Sequence, residues 1–316
     1  MKTFALLMLA AVFAPMPALA AYPPSTVDMP IEKVGEHSYY ALGAAGMATE
    51  NEGFISNAGF VVTDEGVVVF DCLGSPSLAQ TLRAHIARIT DKPVVKVVVS
   101  HYHADHIYGI QVFKDEGAEV LGPRGAYEYL ESPAAKERLE ERRFSLEPWV
   151  NDDTRLVPPD RLIEDEHRFS VGGVDFQINY LGSAHSDGDL TMYVVQDRVL
   201  FSGDIIFEGR VPFVGEADTR QWLETLEALG TGDLEALVPG HGPAASDPIG
   251  AVTRTRDYLA YLRDVMGAAV DDLQDFASAY NKADWSRFEH LPAFDAAHRR
   301  NAYQVFLSME AESLGQ

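Results

Sequence analysis

The chain has 316 residues, 47% of them hydrophobic and 23% charged, a composition typical of a globular protein and not of a disordered one. Its 48 acidic and 25 basic residues give a formal net charge of −23, which argues against nucleic acid or an anionic membrane as a partner. A single cysteine excludes an intramolecular disulfide framework and a cysteine-based zinc finger. We therefore expect a small-molecule ligand or substrate, and the oligomeric state stays open.

The N-terminus has the parts of a secretory signal peptide. Lys2 is the charged start, residues 4–14 are an apolar run too short to span a bilayer, and an Ala-Leu-Ala cleavage site ends at Ala20. We expect cleavage after Ala20 and a periplasmic or secreted mature protein. No later stretch is long and apolar enough to predict a transmembrane helix, so membrane insertion is not expected.

The next part of the chain alternates strand and helix patterns. Leu78, Leu82 and Ile86 recur at four-residue spacing, which predicts a helix. Cys72 follows an apolar run, so we expect it to be buried as a small hydrophobic residue. The elements predicted here are strands over 31–71 with a hairpin of 60–62 and 67–70, a helix at 76–90, a buried strand at 94–99, a loop turning into a helix at 101–109, and a helix at 128–149 broken at Pro133.

The second half repeats this mixture of hairpins and strand–helix units. Its predicted elements are a hairpin at 169–180, strands at 190–195 and 199–201, a helix at 219–229, a strand at 236–238 and only helices from Pro248 onward. Such alternation predicts an α/β layered sandwich in which helices cover sheets, although the strand order stays open. We divide the chain into a signal peptide (1–20), a main domain (21–247) and a C-terminal helical extension packed on it (248–316).

Three of the ten histidines fall within six residues of one another, in the segment His-Tyr-His-Ala-Asp-His at 101–106. His101 and His103 are two residues apart just after a predicted strand, so their rings can point the same way. Asp105 and His106 lie at a predicted helix start, where an aspartate can cap the helix. A cap does not account for three neighbouring imidazoles, and imidazole with carboxylate suits zinc and similar divalent ions.

The His-x-His-x-Asp-His segment resembles the signature of the metallo-β-lactamase superfamily. Four further matches follow that family's pattern: Asp71 ends a valine-rich strand, His185 lies in Gly-Ser-Ala-His-Ser-Asp-Gly-Asp, Asp204 follows Phe-Ser-Gly, and His241 lies in Pro-Gly-His-Gly. The resemblance covers about residues 31–242. It implies a four-layer αβ/βα sandwich with a shallow cleft at its edge.

The resemblance also implies a binuclear metal site. Zinc is the expected metal, with iron or manganese not excluded. A hydroxide shared by the two ions would attack the substrate, and Asp105 would orient it as the catalytic residue. The ligands implied are His101, His103 and His185 for the first ion, Asp105, His106 and His241 for the second, and Asp204 for both, with Asp71 supporting a ligand imidazole.

Two details indicate which members of the superfamily this chain resembles most. Many true β-lactamases of this fold have Cys or Ser where this chain has Asp204, and an aspartate there is typical of thioesterases, lactonases and phosphodiesterases. The His-x-Asp-Gly-Asp form at 185–189 is similar to exported metallohydrolases encoded with sulfur-oxidation or quinoprotein dehydrogenase genes. The resulting prediction is an exported zinc-dependent hydrolase that cleaves an ester, thioester, lactone or amide. A β-lactamase and a non-catalytic metal-binding protein are the alternatives.

Substrate contacts are less well marked in the sequence. The Gly- and Ala-rich segment 43–53 is either a flap over the metals or a plain hairpin tip. Further candidate contacts are Trp149, Phe207, Arg210 and Phe213. The five histidines that match no motif are interpreted as structural or surface residues: His37, His85, His167, His290 and His298.

Overall fold

The computed structural model describes residues 22–315, so the predicted signal peptide lies outside the described residues. Among these residues, every helix is too short or too polar to span a lipid bilayer. The strands are β1 (Ile31–Lys33), β2 (Ser38–Ala41), β3 (Ala58–Val62), β4 (Val67–Phe70), β5 (Val94–Val98), β6 (Glu119–Pro123), β7 (Arg161–Ile163), β8 (His167–Val171), β9 (Val174–Tyr180), β10 (Leu190–Val194), β11 (Val199–Phe207) and β12 (Ala236–His241). The helices are α1 (Pro76–Ile89), α2 (Ala104–Ile107), α3 (Ile110–Asp115), α4 (Ala126–Glu131), α5 (Pro133–Ser145), α6 (Thr219–Ala228), α7 (Pro248–Asp271), α8 (Phe276–Lys282) and α9 (Phe294–Ser313).

The strands form two sheets of mixed direction. The first has seven strands in the order β1-β2-β3-β4-β5-β6-β7, antiparallel up to β4 and parallel from β4 onward. The second has five strands in the order β12-β11-β10-β9-β8, of which only the β11–β12 pair is parallel. Each sheet therefore contains parallel neighbours whose carboxyl ends meet at one edge.

Three buried clusters define the layers. The cluster between the sheets contains side chains of both, such as Val98 from β5 and Phe176 from β9. A second cluster packs α1 and α3 on the outer side of the seven-stranded sheet, and a third packs α6, α7 and α9 on the five-stranded sheet. Helices, sheet, sheet and helices thus form four layers, which confirms the predicted sandwich with its C-terminal helical region.

Most predicted elements are observed, although β6, β7 and α3 fall outside every predicted range and α5 ends before Trp149. The helix break at Pro133 is confirmed, because Ser132 ends α4 and its hydroxyl caps α5 by accepting from the backbone N–H of Ala135. The predicted strand at 199–201 is too short: β11 continues to Phe207. Asp204 therefore lies within a strand and not after one, in a stretch where the pairing with β12 shifts register.

Cys72 is fully buried and unpaired, as expected. Burial, together with the nearby charge of Asp71, raises the pKa of its thiol well above the usual value. We expect 5,5′-dithiobis(2-nitrobenzoate) to label the native protein very slowly at pH 8 and to titrate one thiol per chain in guanidinium chloride. Rapid, complete labelling under native conditions would contradict this burial.

Candidate metal centre

The predicted ligands come from the ends of strands in both sheets and from one loop. Asp71 directly follows β4, and the 101–106 segment follows β5 and runs into α2. In the other sheet, Asp204 lies in the irregular part of β11 and His241 is the last residue of β12. His185 lies in the loop between β9 and β10. The structure brings all of the predicted residues together at one edge of the sandwich.

The first group of side chains contains three imidazoles and one carboxylate. The ring Nδ1 of His103 lies 2.9 Å from Nε2 of His101 and 3.1 Å from Nε2 of His185. Oδ2 of Asp204 lies 3.3 Å from Nε2 of His185 and 4.0 Å from Nε2 of His101. Four potential ligand atoms therefore lie within 4.8 Å of one another, around a single point.

The second group contains Asp105, His106 and His241, and Asp204 lies between the two groups. Oδ2 of Asp105 lies 3.3 Å from Nε2 of His241 and 3.6 Å from Nε2 of His106. Oδ1 of Asp204 is 3.2 Å from Nε2 of His106, and its Oδ2 is 3.2 Å from Nε2 of His241. One carboxylate therefore contacts imidazoles of both groups.

The supporting contacts determine which ring atoms face inward. Asp71 accepts from the backbone N–H and the hydroxyl of Ser100, both at 2.7 Å, and from Nδ1–H of His106 at 2.8 Å. Since the Ser100 hydroxyl donates to Asp71, its oxygen accepts from Nδ1–H of His101, 2.9 Å away. Both imidazoles thereby direct the lone pair of Nε2 into the cluster.

This arrangement fits divalent cations. Nε2 of His106 and Oδ1 of Asp204 are buried and 3.2 Å apart, yet they make no hydrogen bond. Inward lone pairs and carboxylate oxygens repel one another unless a positive charge lies between them. Ligand atoms about 2.0–2.1 Å from a tetrahedral zinc stand about 3.3 Å apart, close to the spacings observed here.

The pKa directions lead to the same conclusion. Burial lowers the pKa of His185 to about 3 and that of His101 well below its usual value, so both rings are neutral and able to bind metal. Burial acts in the same direction on His106, but the carboxylates of Asp204, Asp105 and Asp71 outweigh it and raise the pKa of His106. The carboxylates around His106 thus favour a positive charge at this position, as a bound cation would supply.

Several residues that support the site belong to no recognisable sequence motif. The Asn57 side chain donates to the carbonyls of Pro239 and Gly242, at 2.8 and 2.7 Å, and accepts from the N–H of Gly43 at 3.0 Å. The carbonyl of Ile55 accepts from Nδ1–H of His241 at 2.7 Å. The turn that carries His241 is therefore held by the chain just before β3.

The loop that carries His185 has its own support. Asp189 is buried and accepts from the backbone N–H and the hydroxyl of Ser186, both at 2.9 Å. Trp222 of α6 places its ring edge-on to His185, with centroids 5.0 Å apart, and donates its indole N–H to the carbonyl of Ile205. Trp222 lies in the helix predicted at 219–229, but its contact with His185 depends on how α6 packs.

Gly240 lies so close to Asp204 that no side chain fits there. A β-carbon at Gly240 would come 1.9 Å from Oδ1 and 2.8 Å from the backbone nitrogen of Asp204. We expect Gly240→Ala to displace the Asp204 carboxylate and to weaken zinc binding by about 10- to 100-fold, measured by chelator competition. Gly232→Ala is the matched control, because nothing lies within 4 Å of its β-carbon. Unchanged zinc affinity in Gly240→Ala would contradict this view of the site.

The candidate substrate contacts separate into different environments. Phe207 is buried and stacks on the His241 ring, with an interplanar angle of 3°, so it packs behind a predicted ligand. Phe213 is partly buried against the C-terminal helices, and Trp149 lies in the turn after α5. Segment 43–53 ends beside the cluster, because a side chain at Gly74 would meet both the Gly53 carbonyl and the Cα of Asp105.

A comparison with known families agrees with the observed fold. Residues 51–241 match the family described as the metallo-beta-lactamase superfamily. The chain belongs to this superfamily. The matched range contains every predicted ligand residue, from His101 to His241, and the supporting Asp71.

Individual superfamily members show how far the likeness extends. A "Metallo-beta-lactamase type 2" of Elizabethkingia meningoseptica is 24% identical over 229 residues, which cover 71% of this chain and 82% of that protein. A solved metallo-beta-lactamase from Pontibacter korlensis has a TM-score of 0.58 at 19% identity and covers 74% of this chain and 99% of its own. The sec-alkylsulfatase Pisa1 from Pseudomonas sp. has a TM-score of 0.69 at 18% identity and covers 89% of this chain, which spans half of the alkylsulfatase. Both structural likenesses concern the fold.

Proposed function

We propose that this protein is an exported, metal-dependent hydrolase that cleaves an ester, thioester, lactone or amide bond. The observation that supports this most directly is the position of Asp204, whose two oxygens contact imidazoles of both ligand groups at 3.2–3.3 Å. A shared carboxylate suits two divalent cations close together. The superfamily relatives named as metallo-beta-lactamases and as an alkylsulfatase support hydrolysis as the reaction class.

Each residue of the site has a distinct role in the proposed reaction. His101, His103 and His185 would hold one zinc ion, Asp105, His106 and His241 the other, and Asp204 both. Bound divalent cations lower the pKa of water and polarise the bond under attack. Asp105 has the most exposed carboxylate of the cluster, with 23% of its side chain accessible against 4% for Asp204. It therefore accepts a hydrogen bond from the attacking water and orients it toward the substrate.

Metal analysis combined with a substrate panel tests this proposal. The zinc-loaded protein is assayed on a 4-nitrophenyl ester, an acyl thioester, a homoserine lactone and nitrocefin. We expect about two metal ions per chain and turnover of at least one ester, thioester or lactone. A saturated content of one ion would overturn the binuclear site. A loaded protein without turnover would favour a non-catalytic metal-binding protein.

β-Lactam hydrolysis is the second candidate function, because the first two relatives above are named metallo-beta-lactamases. Nitrocefin turnover above that of every ester and thioester would favour it. Export is tested separately by N-terminal sequencing of protein recovered from the periplasm or medium, with Ala21 as the expected first residue. An intact N-terminus would contradict cleavage after Ala20.

A further inference from the structure

Glu52 is a buried carboxylate that ties segment 43–53 to residues near the N-terminal end of the described chain. Its side chain is buried, with only 6% of the residue exposed. The Ser25 hydroxyl donates to Oε2 at 2.7 Å, the Thr26 N–H donates to both oxygens at 3.1 Å, and the Thr26 hydroxyl donates to Oε1. Within residues 22–315, these two residues supply every hydrogen bond that this carboxylate accepts.

The stretch that contains these donors, residues 22–29, is called the N-terminal strap below. Met29 is buried in the cluster that α1 and α3 form on the seven-stranded sheet, and Tyr22 and Val27 pack against that cluster. The Tyr22 hydroxyl also accepts a hydrogen bond from the buried Gln111 side chain at 2.8 Å. The strap is therefore attached to the main domain by contacts that do not involve Glu52, and it provides a fixed support for that side chain.

The backbone at Glu52 has a conformation that this residue type does not favour. Its φ is +59°, in the left-handed region where a β-carbon crowds the following carbonyl oxygen. A buried carboxylate without hydrogen-bond donors is also unfavourable. Such positions persist only where the surrounding structure holds them, and here the strap supplies the donors. Without those donors, we expect Glu52 to turn toward solvent and to displace the chain that follows it.

The chain that follows Glu52 contacts the second ligand group directly. The Ser56 hydroxyl donates to the backbone carbonyl of Asp105. The carbonyl of Ile55 accepts from Nδ1–H of His241 at 2.7 Å, which directs Nε2 of that ring into the cluster. A shift of the backbone after Glu52 therefore changes the position of one predicted ligand and the orientation of another.

The first ligand group is supported by other parts of the chain. The Ser100 hydroxyl contacts the ring of His101, and Trp222 packs edge-on against His185. Neither contact involves segment 43–53 or the strap. A displacement at the strap is thus expected to reach the second ligand group and to leave the first one unchanged.

We propose that Glu52 is a positioning residue for the second metal ion. Held by the strap, it fixes the chain that places Asp105 and His241 at the distances that metal binding requires. The inference rests on the proposed function, because it concerns one half of the binuclear site. Hydrogen bonds that orient metal ligands typically change metal affinity by about 10- to 100-fold. A chain that lacks the contact between the strap and Glu52 then binds the first ion normally and the second ion weakly.

Glu52→Gln and Thr26→Val test this assignment from the two sides of the contact. Glutamine keeps the size of the side chain and the backbone preference, but its amide nitrogen cannot accept from the strap. Valine keeps the shape of threonine and removes one donor. We expect Glu52→Gln to weaken binding of the second zinc ion by about 10- to 100-fold and Thr26→Val to weaken it less, with the first ion unaffected. Chelator competition on the metal-free, full-length chain measures both affinities without turnover.

Glu50→Gln is the matched control for these variants. Glu50 lies in the same segment, but it is exposed and its carboxylate accepts from the N–H of Met47 within that segment. It should keep the wild-type affinity for both ions. Urea unfolding of the metal-free variants is measured in parallel, because a purely structural role lowers stability without separating the two affinities.

The outcomes distinguish this inference from the proposed function. If the wild type binds two ions but hydrolyses no substrate, the proposed hydrolase fails, and the two zinc affinities still decide the role of Glu52. Wild-type affinity for both ions in Glu52→Gln and Thr26→Val, or an equal loss at both, would overturn the assignment. A wild type that binds a single ion would overturn the binuclear site and this inference together.

Discussion

Asp105→Ala is expected to reduce kcat for the best ester or thioester by about 10²- to 10⁴-fold, even at saturating zinc. The physical reason is that this carboxylate both contacts predicted ligands and is partly exposed. It lies 3.3 Å from Nε2 of His241 and 3.6 Å from Nε2 of His106, yet part of it faces the cleft. No other carboxylate of the cluster combines ligand contacts with this exposure. Steady-state kinetics and metal content are measured on the same preparation.

The control for this variant is Asp91→Ala, which removes an exposed carboxylate in the turn before β5. It should keep the wild-type kcat and two metal ions per chain. A drop in zinc content of Asp105→Ala to about one ion is compatible with the expected result, since the second ligand group loses one of its three members. A fully loaded Asp105→Ala enzyme with wild-type kcat would remove Asp105 from the mechanism.

Asp71→Ala is expected to lower the free energy of unfolding by about 3–5 kcal/mol and the zinc affinity by about 10- to 100-fold. Asp71 is buried and accepts three hydrogen bonds, two from Ser100 and one from His106. Alanine leaves those donors without partners. In addition, the backbone at position 71 has a φ of +62°, which Asp and Asn tolerate better than alanine does.

Asp71→Asn separates the charge from the backbone effect. Asparagine keeps the size of the side chain and its tolerance of positive φ, but it lacks the negative charge of the carboxylate that accepts the hydrogen bond from His106. We expect a smaller loss of stability than for alanine and a comparable loss of zinc affinity, measured by urea unfolding and chelator competition. Wild-type zinc affinity in both variants would show that Asp71 supports the fold without orienting a ligand.

Much of the fold could be predicted because its signals are local. The four-residue spacing of Leu78, Leu82 and Ile86 reflects one buried helix face, and these side chains are buried in α1 as expected. The break at Pro133 follows from the missing N–H of proline. The length of β11 could not be predicted, because a strand with a shifted register around Gly203 is stabilised by its neighbour β12 and not by its own sequence.

The residue types available for a metal centre follow directly from the amino-acid sequence, since imidazole and carboxylate chemistry belongs to the side chains. It also placed three histidines and an aspartate within six residues. Tertiary structure alone decided that Asp204 stands between two groups of imidazoles drawn from both sheets. Whether a buried polar atom is satisfied depends on neighbours from distant parts of the chain, and only packing brings those neighbours within a hydrogen bond's reach.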